Sequence, residues 1–317
     1  MSKYLWCLII SFILLNHMGY AEINEDEPRH LSKAKAAERY ANKGDYNKAI
    51  ELYTGLVHEY PGNEYFIKNL AYLFKKTNRV NDAAQMYLLL FKKEIMKLKQ
   101  QGKYELSQKA LKQYYNIQSI HPRDPMIYVR LGQELMVYGK PEWAKKEALK
   151  ALETDPQCSD AYILLAQYYQ KQREIRKAVE ALEKSVAINP DNCRARNNLG
   201  GLYLQMYRYN DAEKELKKAI EIKGDSAHSY YNLAVLYLQR KEYDRTIYNL
   251  QKTLEYNPLN INAIILLADV YFAQKKDFRK ALSLYYRAMD YTGLITGSQA
   301  IIIQKKIANI EELLKKK

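Results

Sequence analysis

The sequence predicts an all-α solenoid made by repeating one helix-turn-helix unit, and three observations carry that expectation. The first is a template between residues 159 and 192. Tyr162, Leu165, Ala166 and Tyr169 fall three or four apart and so line one face of a helix, and Ala178, Leu182 and Ser185 do the same for a second. Ala166 and Ala178 are small where the two helices should cross closest, and Pro190 after Asn189 stops the second helix. Neither apolar stripe can be buried without a neighbour, which predicts repetition. The second observation is that repetition. With Ala178 as a marker the chain gives Ala49, Ala83, Ala110, Ala144, Ala178, Ala212, Thr246 and Ala281, spaced 34 residues apart except for one interval of 27 and a last one of 35. The third is punctuation. Pro61, Pro122, Pro156, Pro190 and Pro258 fall twelve residues after their markers, with Gly224 and Gly293 in the same place elsewhere, in a chain of 317 residues with only 12 Gly and 8 Pro.

The small residues at positions 8 and 20 of each unit, large apolar residues at 4, 7, 11 and 24, and proline at 32 together resemble the tetratricopeptide repeat (TPR) family over most of the chain. The resemblance implies a right-handed TPR solenoid of about seven or eight repeats with a C-terminal capping helix. It also explains part of the excess of 30 Tyr over 6 Phe. Tyr40, Tyr169, Tyr203, Tyr237 and Tyr271 fill one repeat position, and Tyr53, Tyr87, Tyr114 and Tyr285 another.

Taken in order, residues 1–21 carry Lys3, an apolar run from Tyr4 to Leu15, and Gly19-Tyr20-Ala21 before Glu22. That is the layout of a secretory signal peptide cleaved after Ala21. The same segment, uncharged from Tyr4 to Ala21, is marginally long enough to be an uncleaved anchor. Both readings put the repeats outside the cytoplasm, periplasmic or tethered to the inner membrane. Residues 22–29 read as an acidic leader, and 30–101 as an N-terminal repeat pair running into a long helix. The 27-residue interval lacks seven residues, close to two helical turns, and preserves the facing of the helix. With no Pro or Gly between Asp82 and Gln101, Val80 to Gln101 reads as one helix of about 33 Å, ended by Gly102. This is either a functional elbow or a degenerate repeat. Residues 102–293 form the main array. Residues 294–317 form the cap, with Ala300, Ile303, Ile307, Ile310 and Leu314 on its apolar stripe.

Catalytic patterns are missing. Among five histidines the His58-Glu59 pair is followed by Tyr60, Pro61 and Gly62, which excludes a zincin motif, and there is no phosphate-binding glycine loop or Gly-x-Ser-x-Gly elbow. The expectation is a non-enzyme with no cofactor and no metal. Cys158 and Cys193 lie 35 residues apart in adjacent repeats, too far apart for a disulfide if repeats stack at about 10 Å. The net charge of +14 favours anionic partners.

The family resemblance implies a concave groove from positions 2, 5, 6, 9, 12 and 13 of each first helix. Here those positions hold Met126, Val129 and Met136, then Ile163 and Gln167, then Arg194, Asn197, Asn198 and Leu204. The next two repeats add His228, Tyr231, Asn232, Val235 and Leu238, then Ile265 and Phe272. An apolar, amide-rich surface of this kind suits a peptide or helix segment of a protein partner. The alternative is that neighbouring helices cover part of it. Asn198 and Asn232 share one repeat position, as does Asn69, and resemble a two-rung fragment of the asparagine ladder by which some family members hold a peptide backbone. The carboxylate clamp of co-chaperone repeats is not reproduced, since Ile163 and Gln167 replace its first members.

A basic patch gathers Lys92, Lys93, Lys97, Lys99, Lys103, Lys109 and Lys112 against Glu94 and Glu105. It reads as a solvated face or as a contact for an acidic protein or anionic lipid. Nucleic acid is not expected, since no arginine-rich or aromatic stacking module stands out. The implied function is a protein-interaction scaffold of a bacterial envelope machine serving outer-membrane assembly, secretion or pili, the cell wall or flagella. The alternative is a structural subunit that self-associates through its convex face and ends.

Overall fold

The computed structural model describes residues 28–291 and 296–315. The signal or anchor reading, nearly all of the acidic leader and Gly293 lie outside the described residues. Every described secondary-structure element is helical. The helices are α1 (Pro28–Asn42), α2 (Tyr46–Glu59), α3 (Glu64–Lys76), α4 (Val80–Gln100), α5 (Gln108–Ser119), α6 (Pro125–Val137), α7 (Pro141–Thr154) and α8 (Ser159–Lys171). They continue as α9 (Ile175–Ile188), α10 (Cys193–Gln205), α11 (Tyr209–Ile222), α12 (Ala227–Gln239), α13 (Tyr243–Tyr256), α14 (Ile261–Val270), α15 (Phe278–Met289) and α16 (Gly297–Lys315). None of the described helices is long and apolar enough to cross a membrane. The chain divides into two compact units, one ending at Leu164 and the other beginning at Leu165.

The register of the repeats is the register of helix contact. All eight marker residues, from Ala49 to Ala281, are 0% exposed. Thr246, the one marker that is not alanine, satisfies its buried hydroxyl by donating to the Glu242 carbonyl at 3.0 Å. The partner position on the first helix is equally small, with Ala37, Ala71 and Ala234 fully buried and Gly132 and Gly200 beside them in the pattern. Small residues at both positions let two helices approach closely without a cavity.

Each first helix ends in the same way. Its last turn closes through a residue at positive φ: Gly44, Asn78, Gly139, Arg173, Tyr207, Lys241 and Lys276. The next amide reaches back five residues to a helix carbonyl, as in Arg79 to Phe74, Lys140 to Leu135 and Glu242 to Tyr237, each at 2.8 Å. Asp45, Asn63, Ser107, Asp124, Asn192, Asn260 and Asp277 cap the helices that follow them with a side-chain oxygen. The 35-residue interval has a local cause. The extra residue enters as a π turn, Tyr271–Lys275, and Asp277 reaches back six residues, to Tyr271 at 3.0 Å.

In the first unit α4 is a single helix of 21 residues that packs against α3 and also against α5. It is the second helix of one repeat and the first of the next. Gly102, at φ +65°, ends it, and the Lys103 amide donates back to Leu98 at 2.9 Å. Two polar networks then fix α5. Ser107 caps it while donating to the nearly buried Glu94 at 2.9 Å. The fully buried carboxylate of Glu147 on α7 accepts from Tyr114 and Gln118 on α5, both at 2.8 Å. Burial, followed by the adjacent Glu147 charge, pushes the Tyr114 hydroxyl far above its ordinary pKa, so it stays a donor.

In the second unit α10 with α11, α12 with α13 and α14 with α15 are the repeat pairs. α16 packs on α15, with Ile303, Ile307 and Ile310 buried against Ile264, Ala281, Tyr285 and Ala288. Those three are the centre of the stripe read for the cap.

Candidate functional site

The second unit brings part of the proposed binding surface into one place. A cleft of about 290 Å³ opens among α12, α14 and α16. Tyr231 comes from α12, while Asn262, Ile265, Leu266 and Asp269 come from α14 at helical spacing. Gln299, Ile302, Ile303 and Lys306 come from α16. One side of this wall is apolar: Ile265, Leu266, Ile302 and Ile303, with the ring of Tyr231. The other is polar but already paired. Asp269 accepts hydrogen bonds from the Tyr285 hydroxyl and from Lys306, and Lys306 also lies 5.5 Å from the Tyr285 ring centre. Burial, and after it the Asp269 hydrogen bond, raise the Tyr285 hydroxyl well above its ordinary range, and burial raises Tyr231 too. At neutral pH both are neutral donors. The volume suits one or two apolar side chains, with the free Asn262 amide at the rim for a neighbouring backbone group.

Farther along the same unit, Asn232 donates to Asn197 at 3.0 Å, and Ser229 donates to the same oxygen at 3.3 Å. The rung at Asn232 is therefore engaged by a neighbouring first helix. The Asn198 side chain has no hydrogen bond among the described residues, and the Asn69 side chain in the first unit donates to its own helix at Tyr65. Three asparagines at one repeat position thus have three different environments. Leu204, Val235, Leu238 and Gln167 are half-buried, and Arg194 and His228 are exposed. Phe272 rests on Phe278, ring centres 5.8 Å apart, and belongs to the edge of the core.

In the first unit two of the residues read as groove-lining are interior. Val129 is enclosed by Tyr128, Ala151, Cys158 and Ala161, and Ile163 is buried as well. The start of α8 packs over this part of α6, so residues at those face positions serve the core. Met126 is half-buried against the same cluster, and Met136 is half-buried. Both cysteines are free, and burial pushes the Cys158 thiol up.

The basic patch also separates into two kinds of lysine. Lys92 pairs with Glu134 at 3.2 Å, and Lys109 with Glu64 at 2.8 Å and Glu94 at 3.5 Å. Lys93 reaches the Gly62 carbonyl and lies 4.0 Å from Glu64. Although burial opposes its charge, hydrogen bonds from Lys109 and Lys68 hold the Glu64 carboxyl below its usual range. These three lysines belong to the packing of α4 and α5. Lys97, Lys99, Lys103 and Lys112 are exposed and have no ion pair among the described residues.

The contribution of α16 to the cleft, through Gln299, Ile302 and Lys306, is what the spacing of the cap stripe did not reveal. The signal for it is the run Ile301-Ile302-Ile303. Three consecutive helical residues cannot share one face. Ile303 is buried while Ile301 and Ile302 are 56% and 54% exposed. Among the described residues no group of three or more His, Cys, Asp or Glu is placed to hold a metal ion.

Residues 169–237 match the family model described as a tetratricopeptide repeat, and the same closed helix ends recur at the 34-residue period on both sides of that segment. These are tetratricopeptide repeats. The TPR chain is 37% identical over 84 residues to the type IV pilus assembly protein PilF of Pseudomonas aeruginosa. That match covers 26% of this chain and 33% of the relative, so the chain spans a third of that protein. A structure of Pseudomonas aeruginosa PilF superposes with a TM-score of 0.54 at 24% identity, covering 62% of this TPR chain and 92% of that one. The Cut9–Hcn1 hetero-tetramer of APC/C contains a chain with a TM-score of 0.58 at 15% identity, covering 89% of this chain and 55% of that one. Both structural likenesses bear on the fold.

Proposed function

We propose that this chain is a non-catalytic protein-interaction scaffold of the bacterial envelope that seats a partner segment along the first helices of its second unit. An apolar anchor side chain of the partner enters the cleft among α12, α14 and α16. That cleft is the observation that carries the reading: an apolar wall beside a satisfied ion pair rewards burial of an apolar group without stranding a charge. The similarity to PilF supports type IV pilus assembly as the envelope process.

The test is site-specific photo-cross-linking in the native cell from position 302, with the exposed position 248 on α13 as the control. The reading expects one discrete adduct from 302, a pilus-assembly component, that disappears when Ile265→Asp is added. An adduct indifferent to Ile265→Asp, or shared with position 248, sinks it.

The exposed Ile301 on the end helix favours a second reading, in which the chain is a structural subunit that associates through its C-terminal end. Sedimentation of the purified protein separates the two. A stable oligomer dissolved by Ile301→Asp supports the subunit, and a monomer supports the scaffold.

A further inference from the structure

We propose that the corner where α4 gives way to α5 rests on an anionic lipid surface. At this corner residues 99–105 are exposed without interruption, and Lys97 stands beside them. Lys97, Lys99 and Lys103 supply three positive charges with no ion pair among the described residues. The nearby carboxylates are committed elsewhere: Glu64 and Glu94 to Lys109, and Glu134 to Lys92. Glu105 is the one acidic residue within the corner itself.

Tyr104 stands at the tip, 80% exposed. It is held there from beneath. The hydroxyl of the buried Tyr138 lies 2.9 Å from the carbonyl oxygens of both Lys103 and Glu105. With the flanking carbonyls turned inward to one hydroxyl, the intervening side chain is presented to the outside on a fastened turn.

The chemistry selects lipid over an acidic peptide. No arginine occurs between residues 80 and 122. Defined carboxylates are recognised best by the planar fork of arginine. Lysines on flexible stems suit a diffuse sheet of negative charge, and an amphipathic tyrosine ring suits the headgroup layer.

The test is partitioning of the full chain onto phosphatidylcholine vesicles with and without phosphatidylglycerol as the minority lipid. Any insertion of the apolar run Tyr4 to Leu15 is common to every variant and registers on the neutral vesicles. Each lysine near an anionic surface is worth about a five-fold gain in partitioning, so K97Q/K99Q/K103Q lowers the phosphatidylglycerol-dependent binding about a hundred-fold. Raising the salt until the Debye length is about 3 Å abolishes that part of the binding. Tyr104→Ser lowers it several-fold without changing its salt dependence. The control K214Q/K218Q/K241Q, which removes the same charge from exposed positions of the second unit, retains it.

Three results overturn the proposal: binding indifferent to phosphatidylglycerol, equal loss in both triple variants, or displacement by soluble polyglutamate at equal charge. The last would assign the corner to an acidic protein. All the substituted side chains are exposed, and circular dichroism verifies that each variant keeps its helices.

Discussion

Lys241 closes its helix at φ +61°, where a side chain is strained and glycine is not. Lys241→Gly removes about 1–2 kcal/mol of strain and adds about 0.5–1 kcal/mol of unfolded-state entropy cost, for a net gain of about 0.5–1 kcal/mol. Gly139→Ala, at φ +80° with open space around it, loses a similar amount. Urea melts of the two variants shift in opposite directions if the closure geometry sets the sign. Glu213 gives the residue scale a pH dependence. Burial opposes its charge, but hydrogen bonds from Lys217, Arg240 and Tyr237 outweigh it and lower the carboxyl from 4.5 to about 2. A carboxyl depressed in the folded state contributes stability that is complete above about pH 4.5 and is lost as pH falls through about 2. Thermal melts across that window show a smaller pH slope for Glu213→Gln than for the parent chain. An unchanged slope removes Glu213 from the account of acid unfolding.

Adjacent glycines in α10 separate two effects that a sequence pattern merges. A Cβ built at Gly200 meets Leu216 Cγ at 2.6 Å and the Ala212 carbonyl at 3.3 Å, while one built at Gly201 meets only the Asn232 amide, at 3.7 Å. Alanine gains about 1 kcal/mol of helix propensity at either site, and overpacking costs about 1–3 kcal/mol at Gly200 alone. Gly200→Ala is therefore expected to destabilise by up to about 2 kcal/mol, and Gly201→Ala to stabilise by about 0.5–1 kcal/mol, read from denaturant midpoints at constant slope. Gly200 falls 34 residues after Ala166, one of the two residues read as small where the helices cross, because helix contact demands a small residue there in every repeat. The repeat pattern identified α4 for a related reason: removing close to two turns leaves an apolar face in register, so the missing seven residues leave no loop signal. The π turn at Tyr271–Lys275 was legible only as a count of 35, since an extra residue does not say where it will bulge. The closures at Asn78, Arg173, Tyr207, Lys241 and Lys276 were invisible, because none of these residues advertises a left-handed backbone as glycine does.

At the scale of the molecule, face positions on a first helix bind a partner only where no other helix covers them, and sequence periodicity cannot see that cover. Val129 and Ile163 fall on the face read as a groove and are interior, whereas Ile265 and Tyr231 on the same register line an open cleft. The difference lies in which helix packs next, a property of neighbours far apart in sequence. The capping helix makes the same point in energetic terms. Ile310 is fully buried against the α14–α15 core, and Ile301, nine residues earlier on the same helix, is 56% exposed. Burying an aspartate at 310 without a partner costs about 3–5 kcal/mol, while Ile301→Asp stays within about 0.5 kcal/mol. Repeat arrays are stabilised neighbour by neighbour, so the damage from Ile310→Asp is local at first. Hydrogen exchange is expected to show α14, α15 and α16 losing protection in Ile310→Asp while α10 to α13 keep it, with Ile301→Asp unchanged throughout. Equal loss in every helix of the second unit would mean that the unit unfolds as one cooperative block, and the cap would then govern the integrity of the whole proposed binding face as well as its end.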